Sequence, residues 1–205
     1  MKVICCLSRK GGVGKSLLAR SLAVAGLFDE ARTAIIDADP QGSILNWVER
    51  REQPAPRVFP IKGNLDATLK SLRAGKPDFV FIDTPPSVHP IIGTAVGLCD
   101  LALVITGPYP EDLAAIGSSV QVVKGTNRRG AIILNRTPAR SSALALARSA
   151  LEVFQLPVCP TAIVQRVGHP YAASTGQTAQ EWEGEGAAAK EIEQVWTWVK
   201  AQISG

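Results

Sequence analysis

Seven consecutive residues, Lys10-Gly11-Gly12-Val13-Gly14-Lys15-Ser16, carry the densest chemistry in the chain. They follow the apolar run Val3 to Leu7 and precede the helix-compatible run Leu17 to Leu27. Strand, glycine loop, helix is the order that a phosphate-binding loop requires. Glycines let the backbone approach an anion and turn its N–H groups inward, and the helix N-terminus adds positive potential. Lys15 supplies a cation for the phosphates and Ser16 a hydroxyl for Mg2+. The chemistry indicated is binding of a nucleoside polyphosphate with Mg2+, with Gly11, Gly12, Val13, Gly14, Lys15, Ser16 and Leu17 around it. The match to G-x-x-x-x-G-K-[ST] is incomplete. Arg9 stands in place of the first glycine, and a second lysine, Lys10, lies inside the loop.

Two more apolar runs end in acids. Thr33 to Asp37 leads into Asp37-Ala38-Asp39-Pro40-Gln41-Gly42, and Phe79-Val80-Phe81-Ile82-Asp83 leads into Thr84-Pro85-Pro86-Ser87. Carboxylates at the C-terminal ends of buried strands stand where ligands bind in open α/β sheets. There they order Mg2+ and its waters or orient the water that attacks a γ-phosphate. Strand-end acids also serve as plain caps. Asp37 and Asp83 join Ser16 as metal candidates, Asp83 in the manner of a Walker B acid.

The order K-G-G-V-G-K-S, with a lysine ahead of the glycine pair, resembles the deviant Walker A loop of the ParA/MinD family of ATPases. D-x-D-P-Q-G and D-T-P-P-S are similar to that family's two switch segments, and the resemblance spans essentially the whole chain. It implies ATP/ADP and Mg2+ as cofactors, and an ATP-dependent homodimer in which Lys10 reaches the partner's nucleotide; higher-order assembly stays open. Asp39 is then the acid that helps activate water, making Lys10, Lys15 and Asp39 the catalytic set. Asn135, at the end of Ala131 to Asn135, becomes the adenine contact; the alternative is an asparagine that satisfies a turn. The resemblance further implies slow, partner-stimulated hydrolysis, non-specific DNA as a partner, and a ParB-like or other adaptor for a plasmid or other cargo. Location is expected to be cytoplasmic and nucleoid-associated. Only nine residues precede Lys10, so the chain is expected to be one ATPase domain, 1–205, of the small branch without an operator-reading segment.

Composition agrees with a globular protein, at 46% hydrophobic and 20% charged residues. No apolar run reaches the roughly 20 residues of a spanning helix, and no signal peptide is evident. Cys5, Cys6, Cys99 and Cys159 lack C-x-x-C spacing and are expected to be buried thiols. Charge is uneven. Residues 124–170 carry 7 basic side chains against Glu152 alone, which suggests a polyanion-facing surface or arginines scattered over solvated helices. Arg166 is the first DNA-binding candidate, followed by Arg128, Arg129 and Arg140. Arg166 alternatively pairs with Glu152 or the acidic tail. A MinD-like membrane-associated regulator is the alternative function, although the C-terminal helix offers Glu191, Glu193 and Lys200 with little basic surplus. An iron–sulfur carrier would need paired cysteines, and nucleotide kinases lack Lys10.

The elements that must position these groups alternate. Strands are expected over Val3–Leu7, Thr33–Asp37, Arg57–Ile61, Phe79–Asp83, Asp100–Thr106, Ala131–Asn135 and Thr161–Arg166. Helices are expected over Lys15–Phe28, Ser43–Arg51, Asn64–Arg73, Pro110–Lys124, from Ser141 or Ser142 to Phe154, and over Gly186–Ile203. This pattern predicts an α/β fold: a doubly wound, mostly parallel sheet with helices on both faces.

Overall fold

The structure, a computed structural model, describes residues 1–86, 89–139 and 142–204. In chain order the elements are β1 (Lys2–Leu7), α1 (Lys15–Phe28), β2 (Thr33–Asp37), α2 (Ser43–Val48), β3 (Arg57–Pro60), α3 (Leu65–Leu72), β4 (Phe79–Asp83), α4 (Pro90–Leu98), β5 (Leu101–Thr106), α5 (Pro110–Gly125), β6 (Gly130–Leu134), α6 (Ala143–Leu151), α7 (Gly168–Ser174), α8 (Ala179–Trp182) and α9 (Ala187–Ser204). Continuous apolar runs make the central strands because helices cover both faces of the sheet. All six strands are parallel, in the order β3-β2-β4-β1-β5-β6. The chain winds away from β1 in one direction through β4, β2 and β3, and in the other through β5 and β6. Loops at the C-terminal end of β1 therefore open at the switch point, where such sheets bind ligands.

The period of two sends alternate residues to opposite layers. Ile4 and Cys6 pack with Leu18 and Leu22 of α1 and Trp196 of α9, while Val3, Cys5 and Leu7 pack with Leu65, Ile92 and Val120 of α3, α4 and α5. All four cysteines are buried free thiols. Ile192, Trp196, Val199 and Ile203 form the buried stripe of α9, and Trp196 sets its ring edge-on to Phe79 at 5.0 Å while its Nε1 donates to Asp29 at 2.7 Å.

Some elements differ from the sequence reading. Thr161–Arg166 is not a strand; Pro160, which has no N–H for a ladder, lies between two isolated bridges (Ile132 to Val158 and Thr137 to Val164) beside β6. Helix α2 stops at Val48, three residues early. Helix α4 was not expected, since Gly93 and Gly97 dilute its pattern, although Pro90 starts it and the His89 side chain caps it. Short α7 and α8 are further helices beyond those expected from the sequence, and α8 starts with a capping box between Thr178 and Glu181. Ser142 precedes α6 without a side-chain cap bond, and Ser141 lies outside the described residues.

Glu181 is also the anchor of a buried arginine. Arg51, whose side chain is 2% exposed, forms a two-point ion pair with Glu181 (2.9 and 2.5 Å), donates to the carbonyls of Ala55 and Gly176, and stacks 4.9 Å from the Trp47 ring centre. Removing one partner of a buried pair strands the other charge, at about 3–5 kcal/mol. Arg51→Ala is therefore expected to lose about that much stability in urea denaturation, whereas an exposed variant such as Lys70→Ala should lose less than about 1 kcal/mol.

Candidate functional site

Beyond β1 the chain turns through two left-handed glycines, Gly12 (φ 75°) and Gly14 (φ 93°), and Gly14 is the N-cap of α1 with no side chain supplying a cap. The N–H groups of that first turn are thus left for a ligand. Glycine is required at 14 for a second reason: a Cβ there would fall on the Asn135 amide. That amide donates to the Val13 carbonyl at 2.8 Å, and Arg136 Nη1 donates to the Gly12 carbonyl at 2.5 Å. The end of β6, more than a hundred residues away in sequence, therefore stitches the loop into shape. Beside it lies a cavity of about 610 Å³ lined by Gly14, Leu17, Asn135, Arg136, Val164 and His169, among others.

Strands β2 and β4 end level with one another, with Asp37 opposite Asp83 and Asp83 opposite Cys6 of β1. Asp83 is fully buried, and neither carboxylate oxygen has a hydrogen-bond partner. Burial pushes its carboxyl up to about 7; the nearby Ser16 hydroxyl and Lys15 ammonium oppose that rise, and Asp37 and Asp39 add to it. Lys15 is itself buried at 6% exposure, and burial lowers its pKa against the pull of Asp83 and Asp39. An orphaned carboxylate, a hydroxyl and an ammonium around an uncapped helix start fit a phosphate with Mg2+. That ion needs only one or two protein groups, the rest of its shell being phosphate and water, so Ser16 and Asp83 suffice. Among the described residues no cluster of three or more His, Cys, Asp or Glu side chains is arranged to hold a metal by itself.

Asp37, a metal candidate from its place at the strand end, is engaged by backbone N–H groups. Its Oδ2 accepts from the backbone N–H of Ile44 and Leu45, both at 3.0 Å, and its Oδ1 from Asp39 at 3.2 Å. It caps α2 and shapes the turn that carries Asp39, which is half-buried and accepts from Gln41 N–H. Lys10 lies in an ion pair with Asp112 of its own chain, 2.5 Å away at the start of α5, and Gly107 leaves room for that carboxylate. Asp112 and Arg136 carried no sequence signal of this role: an acid in a helix's first turn reads as an ordinary dipole partner. Thr84, fully buried, donates to the Cys6 carbonyl, while Ser87 of that turn lies outside the described residues.

The basic third of the chain does not form the single surface its count suggested. Arg166 is held by Glu191 of α9 at 2.6 Å, the tail pairing weighed as its alternative. Arg148 donates to the Cys159 and Pro160 carbonyls, and Arg136 to the loop. Arg128 and Arg129 are exposed at the N-terminal end of β6, opposite the loop, where Arg129 reaches the last carbonyls of α9. Arg140 lies outside the described residues.

Residues 4–179 match the family model described as the CobQ/CobB/MinD/ParA nucleotide binding domain. The chain belongs to that family. Two curated relatives, both Maintenance of carboxysome distribution protein A, are similar over nearly the whole length: that of Gloeobacter kilaueensis is 33% identical over 94% of this chain and 90% of its own, and that of Halothiobacillus neapolitanus is 29% identical over 91% and 90%. Among solved structures, MinD cell division protein of Aquifex aeolicus superposes with a TM-score of 0.80 at 15% identity, covering 98% of each chain. An ATP complex of a Cyanothece McdA variant superposes with a TM-score of 0.74 at 19% identity, covering 100% of this chain and 96% of that one. These likenesses confirm the parallel P-loop fold.

Asp83 makes stability depend on pH in a defined direction. Its folded-state pKa lies above its unfolded one, so the folded ligand-free protein holds that proton more tightly and is penalised as pH rises from about 4 through about 7. Asp83→Asn removes the penalty. The variant is expected to be more stable by roughly 4 kcal/mol at pH 8, a rise in Tm of about 8–16 °C for a domain of this size, with the gain vanishing near pH 4. Calorimetry across pH checks this, and an unchanged Tm at pH 8 contradicts it.

Proposed function

We propose that this protein is a positioning ATPase of the ParA/MinD kind: ATP and Mg2+ join two protomers face to face, and slow, partner-stimulated hydrolysis releases them. The observation that carries the reading is one phosphate loop bearing two lysines with different surroundings, Lys15 buried beside Asp83 and Lys10 at the rim on Asp112. Lys15 meets the β- and γ-phosphates, Ser16 and Asp83 hold the Mg2+ shell, and the loop N–H groups cradle the anion. Asp39 orients water, on a turn fixed by Asp37. Lys10 leaves Asp112 to reach the partner's nucleotide. The named relatives favour a large protein assembly such as a carboxysome as cargo over a plasmid, with an adaptor protein joining cargo to ATPase.

Non-specific DNA is the track in this reading. Its phosphate contacts fall to exposed Lys124, Arg128 and Arg129, because Arg166 is engaged by Glu191. A membrane-bound regulator is less well supported. No helix among the described residues is long and apolar enough to cross a membrane, and α9 turns its apolar stripe into the core, where a bilayer cannot use it.

Three measurements test the proposal. Lys15→Ala should weaken ATP binding roughly 100-fold, the scale of lost charge-assisted contacts, in calorimetric titration with Mg2+. Lys10→Ala should retain nucleotide binding yet give no ATP-dependent dimer by light scattering, and Asp39→Ala should accumulate that dimer with little turnover. ATP affinity unchanged in Lys15→Ala sinks the site, and a tight ATP dimer in Lys10→Ala sinks the cross-subunit role. On DNA, Arg128→Ala should weaken filter binding equally for two unrelated duplexes and reduce the salt slope by roughly one. Arg166→Ala should leave DNA binding unchanged.

A further inference from the structure

A second cavity, of about 500 Å³, lies at the opposite end of the sheet from the phosphate loop. It opens between the last turn of α1, the starts of β2 and of the edge strand β3, and the end of α3. Helix α1 leaves the loop at Lys15 and reaches this cavity at Leu27, about 18 Å further along its axis. No residue lines both this cavity and those beside the loop. Leu27, Ala34, Phe59, Leu72 and Pro77 make its apolar wall, and its size falls within the range of small-molecule sites, about 300–1,000 Å³. The fold does not require the space. At Gly75, on the single turn after α3, an added Cβ meets no atom within 4 Å, and Ala74 beside it is exposed, so a larger side chain at either position could close the hollow.

The polar groups on the wall narrow the guest. Thr33 gives its hydroxyl proton to the Ala23 carbonyl at 2.9 Å, and Ser71 gives its own to the Thr68 carbonyl at 2.8 Å. Arg32 is held by both carboxylate oxygens of Asp78, at 3.1 and 3.2 Å. That leaves Arg57. Its side chain is exposed, its guanidinium lies 5.0 Å from the centre of the Phe59 ring, and it has no ion-pair partner among the described residues. No acidic side chain among the described residues lines the cavity. The uncommitted donor is thus a planar cation, whose fork matches a carboxylate at two points, on the rim of an apolar hollow. An apolar body gains by leaving water there, and an anionic head gains a charge-assisted contact. An amine would meet positive charge with no acid to offset it.

We propose that this cavity is a second ligand site, separate from the nucleotide site, which binds a small apolar carboxylic acid between its apolar wall and the Arg57 guanidinium. Phe59 holds the guanidinium over its ring face and so keeps the head group's partner at the mouth.

The probe is 8-anilinonaphthalene-1-sulfonate, an apolar anion whose emission rises when it leaves water. It is bound to the full chain and challenged with octanoate, 1-octanol and octylamine, guests of one length with different heads. Octanoate should displace it at a roughly 10-fold lower concentration than 1-octanol, the scale of one hydrogen bond to a charged group, with octylamine the weakest. Arg57→Gln, a change at an exposed position, should erase the octanoate advantage and leave 1-octanol as it was. Ala74→Trp, which fills the hollow from its exposed side, should remove probe binding while ATP binding is retained. Absence of probe binding to the unaltered protein, equal displacement by octanoate and 1-octanol, or an octanoate advantage that survives in Arg57→Gln each overturns the proposal. Probe that still binds Ala74→Trp sits elsewhere and overturns it too. ATP with Mg2+ should not displace the probe, and Lys15→Ala should bind it like the parent. Displacement by ATP moves the probe to the nucleotide cavity, which overturns the second site and leaves the phosphate-loop reading intact. A protein that shows the octanoate pattern but binds no ATP keeps the second site and loses the nucleotide reading.

Discussion

At the centre of this molecule a carboxylate is held where water cannot reach it and no protein donor completes it. Asp83 closes β4 between β2 and β1, fully buried, with the Lys15 ammonium pulling against the effect of burial. A buried charge without partners costs several kcal/mol, and the group responds by holding its proton up to about pH 7. The surrounding architecture makes this unavoidable. The parallel register sets Asp83 level with Asp37 and Cys6, and the loop leaving β1 brings Lys15 within electrostatic reach of Asp83 and Cys6. The fold thus stores unfavourable electrostatics that a divalent cation with phosphate oxygens would relieve, which is a physical route from ligand-free strain to ligand-driven ordering.

The loop's shape is secured from a distance. Its left-handed glycines permit the turn, but it is Asn135 and Arg136, at the far end of β6, that hold the Val13 and Gly12 carbonyls. Asn135 and Arg136 also line the cavity beside the loop. Lys10 is held separately, on the Asp112 carboxylate of α5. A lysine engaged within its own protomer is a lysine that must exchange partners before it can serve another, so association and nucleotide state can be linked through that one pair.

Arginines elsewhere act chiefly as internal fasteners. Arg51 joins the segment after α2 to α8 through Glu181, Arg166 joins the segment before α7 to α9, and Arg148 holds the turn at Cys159 and Pro160. Guanidinium groups suit this duty because several N–H donors lie in one plane and reach carboxylates and carbonyls together. A count of positive charge along the chain therefore overstates what is offered to a polyanion.

Much was nonetheless legible in the residues alone. Five apolar runs, Val3–Leu7, Thr33–Asp37, Phe79–Asp83, Asp100–Thr106 and Ala131–Asn135, announced strands buried on both faces, and the glycine loop announced a phosphate site, because side-chain period and φ preferences are local properties. Residue type and position on the sequence determined that Lys15, Ser16 and Asp83 would meet at the strand ends. Only the tertiary structure decided that Asp37 is occupied by three backbone N–H groups, that Arg166 chooses Glu191, and that Lys10 rests on Asp112 about a hundred residues on. Short helices such as α7, which carries His169 to the cavity wall, were also settled there. These are choices among many equally plausible partners for a charged or polar group. Partner choice depends on which atoms the packed layers bring within about 3 Å, a distance that no period or spacing along the chain encodes.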